Sequence, residues 1–124
     1  MQPDTYVPGD VRDFILKHIA SVAQLEALLL IWSSPEERWE LLDIAARIYT
    51  SEAETAKALE GLSAGGIVIC MNGVFRLNVS ADVEMIRRIQ EVYARYLIPV
   101  TDIIHSQSLN SHSGEEKFSL QKDR

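Results

Sequence analysis

Cysteine is nearly missing from this chain of 124 residues: Cys70 stands alone, so no internal disulfide can form. The three histidines, His18, His105 and His112, are scattered and add no metal-ligand spacing, so neither a metal nor another cofactor is expected. Long apolar runs are also missing. The longest, Ala27 to Trp32, falls far short of the roughly 20 residues needed to cross a bilayer. The N-terminus carries no basic stretch followed by an apolar core, as a secretion signal would, and the expected compartment is the cytoplasm. Catalytic patterns are absent as well. There is no Gly-rich phosphate loop, no HExxH, and no Cys/His or Ser/His/Asp arrangement at a recognisable spacing, so the chain is not expected to be an enzyme.

What is present is an ordinary globular composition. Apolar residues make up 47% and charged residues 24%, which excludes a disordered chain and fits one domain. Twelve basic residues against eighteen acidic ones leave a net charge of −6, the opposite of a polyanion-binding balance. Residues 1–9, with Pro3, Pro8 and Gly9, read as a flexible arm, and residues 106–124, rich in Ser, Asn, Gln, Lys and Glu, as a disordered tail.

Between them the apolar spacing predicts a series of elements. Asp10 is placed to cap a short helix carrying Val11, Phe14, Ile15 and Ile19. Ser21 with Gln24 fits a capping box and starts a helix through Trp32, apolar on most sides and therefore central to the core. Ser34 to Glu37 could cap a further turn, but a short extended piece at Arg38 to Glu40, leading into Leu41, Leu42, Ile44, Ala45 and Ile48, is the favoured reading. Ser51 with Glu54 makes a second capping box, opening a helix whose core face is Ala56, Leu59 and Leu62 and which Gly65 and Gly66 stop. Ile67 to Met71 and Val74 to Leu77, joined by Asn72-Gly73, predict a β-hairpin. Ser80 then caps a long helix to His105, with Pro99 inside it as a kink or break.

Helix, short helix, turn, capped helix, Gly pair and Asn-Gly hairpin resemble the winged helix-turn-helix domain of small bacterial transcriptional regulators. The residues that carry the likeness run from Trp39 to Val79, LLDIAARIYTSEAETAKALEGLSAGGIVICMNGVFRL above all. The implied fold is α+β and mainly helical, with the winged domain over 10–79 and a long C-terminal helix over 80–105. Ala45 and Ala46 would let its two helices cross closely. The resemblance implies a regulator that binds duplex DNA as a dimer; a protein-interaction module that has kept the fold is the alternative.

In the DNA reading the helix from Glu52 to Leu62 enters the major groove. Its groove face would be Ser51, Thr55 and Ala58, with Lys57 on a phosphate and Asn72 and Arg76 contributing from the wing. Three acids, Glu52, Glu54 and Glu60, against Lys57 oppose this, and Glu52 and Glu54 have a plain role in stabilising the helix N-terminus. Arg12, Lys17, Arg47, Arg87 and Arg88 are bases elsewhere that could add positive potential. Ile86, Ile89, Tyr93, Leu97, Val100 and Ile104 form one stripe along the final helix, expected to pair with a second chain unless the helix bends at Pro99 and folds back over Leu25 to Trp32. Trp32 and Trp39 could stack a planar ligand, but core packing is the simpler role. Cys70 reads as a small core or edge hydrophobe.

Overall fold

The structure is a computed structural model in which residues 7–106 are described. Most of the expected arm and tail lies outside them. The chain is α+β and mainly helical, with one small antiparallel sheet. In order, the elements are α1 (Gly9–His18), α2 (Val22–Ser33), β1 (Trp39–Glu40), α3 (Leu41–Arg47), α4 (Glu52–Ala64), β2 (Val68–Met71), β3 (Val74–Leu77) and α5 (Val83–Arg95). Residues 97–106 are helical again and form α6. Among the described residues no single helix is long and apolar enough to cross a membrane.

The expected arm is too long by three residues. Val7 is buried in the core, and Gly9 already begins α1 with Pro8 at the capping position. Asp10 therefore sits in the first helical turn rather than at the capping position. Its carboxylate accepts from the Val11 N–H at 2.9 Å and is held by the Arg88 guanidinium of α5, which fastens α1 to α5. That ion pair holds the Asp10 carboxyl below its usual range.

Ser21 caps α2 as expected, its Oγ accepting from the Gln24 N–H at 3.1 Å, but the returning bond is displaced by one residue: Gln24 Oε1 accepts from the Ala20 N–H. α2 is the centre of the core. Leu25, Ala27, Leu28 and Ile31 are buried, and the helix touches α4, α5 and β3. Each of these leucine and isoleucine side chains contributes roughly 1.5–3 kcal/mol by leaving water.

The extended piece before α3 becomes a third strand. β1 pairs with β3, with Trp39 opposite Phe75 and Glu40 opposite Val74, so the sheet order is β1-β3-β2 where a two-stranded wing was expected. Trp39 is fixed there because its indole N–H donates to the Ser34 carbonyl at 2.9 Å. Two-turn α3 buries only the stripe of Ile44 and Ala45, which leaves Ala46 and Leu42 in water, so Ala45 alone serves the helix crossing. The hairpin turn is as expected: Asn72 has φ 52° and Gly73 φ 79°.

The long final helix is broken. α5 is capped by Asp82, whose carboxylate accepts from the Met85 N–H at 3.0 Å, whereas Ser80 is tied back to Asn78. It ends at Arg95, because Pro99 has no N–H to give the Arg95 carbonyl and its ring would clash there. Tyr96 closes one helix and opens the next, its N–H donating to Val92 O at 2.7 Å and its carbonyl accepting from Val100 N–H at 3.1 Å. The bend carries Val100, Ile103 and Ile104 into the core beside Ile86 and Ile89.

Candidate interaction surface of α4 and the hairpin

Ser51 starts α4 by accepting from the Glu54 N–H at 3.1 Å. From there the buried residues are Thr55, Ala58, Leu59 and Leu62, spaced i, i+3, i+4, i+7 as one helical stripe. Two residues expected on the outward face are thus on the inward one. Thr55 is fully buried with its hydroxyl donating to the Ser51 carbonyl at 2.8 Å, and Ala58 is 4% exposed. Neither can touch a groove. The reason is the phase of the helix: α4 packs against both α2 and α3, so its buried arc is centred between Thr55 and Leu62, and Ala56 is turned out.

The residues that do face outward are Ala53, Ala56, Lys57, Glu60 and Ser63, with Glu52 and Glu54 at the first turn. Ala53, Ala56, Lys57, Glu60 and Ser63, with Leu41, Leu59 and Phe75, border a groove of about 440 Å³ between α4, the start of α3 and β3. Its floor is apolar (Leu41, Ala53, Ala56, Leu59, Phe75), and its rim carries one base, Lys57, and one acid, Glu60. Of the remaining expected DNA contacts, Ser51 is exposed but spends its hydroxyl on the cap. Asn72 is exposed at the turn, and Arg76 is exposed on β3 opposite Ile69.

The bases elsewhere are largely committed within the chain. Arg87 is held by Glu84 and Glu91, Arg88 by Asp10, and Arg38 pairs with Glu40 at 3.3 Å. Arg47 lies over the Trp39 ring, 5.2 Å from its centre. These pairings neutralise positive charge that a duplex would need, and they leave the acids of α4 unopposed except by Lys57.

The stripe expected to join two chains is covered within one. Ile86, Ile89, Val100 and Ile104 have no exposed surface, and Tyr93 is half-buried with its hydroxyl donating to Glu26 Oε2 at 3.0 Å. Burial, aided by Glu26, pushes the Tyr93 phenol up to about 12. Leu97 alone of the six is half in water. The fold-back at Tyr96 is the cause. Trp39 is buried, while Trp32 borders an open cleft of about 550 Å³ with Tyr49, Tyr93 and Arg47. Cys70 is exposed on the edge strand, His105 is exposed, and His112 lies outside the described residues.

The groove of Leu41, Ala56 and Phe75 was not apparent in the sequence. The signal that could have found it is the i, i+3, i+4, i+7 stripe beginning at Thr55, which assigns Ala53 and Ala56 to the outside. No family model, curated protein or solved structure matches the chain.

Proposed function

We propose that the chain is a winged-helix domain whose working surface receives another protein. The observation that carries this is the outward side of α4: an apolar floor of Ala53, Ala56, Leu41 and Phe75 rimmed by Lys57 and Glu60, where a duplex reader would present several bases and long polar side chains. The order of α3, a tight turn, α4 and an Asn-Gly hairpin supports the winged-helix reading. The pairing of Arg38, Arg87 and Arg88 with acids supports a protein partner over a polyanion.

Duplex DNA is the second reading, favoured by Lys57 on α4 and the exposed Arg76 on the hairpin. One pair of experiments separates them. Labelled random duplex titrated at about 0.15 M salt should show affinity weaker than roughly 10⁻⁶ M, and submicromolar binding would overturn the proposal. A photo-crosslinking side chain at Ala56 should give a discrete protein adduct in cells that the same group at Val79 does not. Equal adducts at both positions would also overturn it.

A further inference from the structure

Lys57 and Glu60 also border a second hollow, a trough of about 540 Å³ between α4 and the start of α2. Its lining is mostly small, with Ala20, Ala58, Gly61 and Ala64, and Gln24 enters it from α2. Gln24 is only 5% exposed. Its Oε1 accepts from the Ala20 N–H, which fixes the amide, and its Nε2 stands over Gly61, where the missing Cβ leaves it room.

That Nε2 donates to nothing among the described residues. Every side-chain nitrogen or oxygen shut off from the surface among them has a partner, so this one reaches the surface, and the surface there is the trough. A buried amide held in place with a free N–H is a donor aimed at whatever enters.

Charge decides which acceptor can enter. Glu54 and Glu60 stand at the trough against the single base Lys57. A carboxylate or phosphate oxygen would meet a surplus of negative charge, so the fitting acceptor is a neutral carbonyl with cationic groups beside it. The small residues of the lining put no bulk between the Gln24 amide and a polypeptide backbone.

We propose that this trough holds a basic peptide segment of the protein partner, one backbone carbonyl accepting from Gln24 Nε2 while lysine or arginine side chains beside it reach Glu54 and Glu60. The proposal rests on the reading that α4 receives a protein. Lys57 and Glu60 border both hollows, so the two contacts are continuous across one ridge of α4. The acids that oppose a duplex then set the charge of the partner.

The Gln24 amide is its own reporter. In proton–nitrogen correlation spectra of the full chain its Nε2 pair, assigned through its bonded carbons, should shift saturably with a capped pentapeptide carrying two lysines, titrated to about 10 mM at fixed ionic strength. The counterpart carrying two glutamates should leave it in place. Glu54→Gln with Glu60→Gln should weaken the lysine peptide about three- to tenfold, whereas Glu36→Gln with Glu37→Gln, exposed before β1, should not. A Gln24 amide unmoved by the lysine peptide, moved equally by both peptides, or indifferent to the loss of Glu54 and Glu60 would overturn the proposal. A discrete protein adduct at Ala56 beside an unmoved Gln24 amide would overturn this site and leave the reading beneath it intact.

Discussion

A Cβ built on Gly61 of α4 would stand 2.1 Å from Nε2 of Gln24 on α2, so the Gln24 amide fills the space that any larger residue at position 61 would need. Gln24 is buried, and its other amide atom holds the Ala20 N–H, so the side chain is not free to withdraw.

Gly61→Ala is therefore expected to destabilise by about 1 kcal/mol. The strain of overpacking, roughly 1–3 kcal/mol, outweighs the helix preference of alanine, roughly 1 kcal/mol. In a Gln24→Ala background the clash is gone and the same substitution should stabilise. Urea denaturation of the four chains reads the reversal of sign, and a Gly61→Ala effect identical in both backgrounds would refute the relationship.

Thr55 gives a second test, of helix phase. Replacement by Val keeps the shape and loses one hydrogen bond, at a cost of about 1 kcal/mol, whereas Arg at this fully buried position should prevent folding. Arg at the exposed neighbour Ala56 should change stability by less than about 0.5 kcal/mol. Thermal unfolding followed by circular dichroism distinguishes them, and tolerance of Thr55→Arg would mean that α4 presents the face the sequence suggested.

That difference shows where sequence reading held and where it stopped. Local signals were legible: the Ser21 cap, the Ser51 cap and the Asn72-Gly73 turn each depend on one or two residues and their own backbone. Long-range ones were not. Which arc of α4 is buried depends on α2 and α3 together, and a threonine at position 55 does not announce itself as core. The fate of the final stripe likewise depended on where the chain turns. Pro99 marked a break, but the return of Val100, Ile103 and Ile104 into the core is set by packing among distant parts of the chain, which no local pattern encodes.

The covered stripe makes a third prediction. Ile89→Glu should unfold the chain, since it leaves a charge in the core, and Ile104→Ala should cost about 2–5 kcal/mol. Leu97→Glu, at a half-exposed position, should shift stability by less than about 0.5 kcal/mol. Chemical denaturation gives all three values. A folded Ile89→Glu chain that differs only in its association state would return that residue to an interface between chains.

His18 supplies a pH test. Burial, with the Lys17 charge, lowers its pKa from 6.5, and its ring packs against Phe14 with centres 4.6 Å apart. The folded chain thus binds a proton less readily than the unfolded one. Stability from this group is complete above pH 6.5 and falls as pH drops below it, towards the folded value. The midpoint temperature should decline over that interval, and His18→Gln should flatten the decline. A profile unchanged by the substitution would remove His18 as its source.

The turn at Tyr96 also sets the order in which the molecule can be completed. Val7, Val11 and Ile15 belong to the same apolar cluster as Val100, Ile103 and Ile104, so the core closes only when both ends of the described chain have joined it. Such a closure has a high contact order, and no early fragment contains both halves of it. A chain emerging during synthesis leaves open the part of the core that Val100, Ile103 and Ile104 fill until α6 arrives, which makes that helix the latch of a cooperative unit and the interval before it a period of exposure to aggregation.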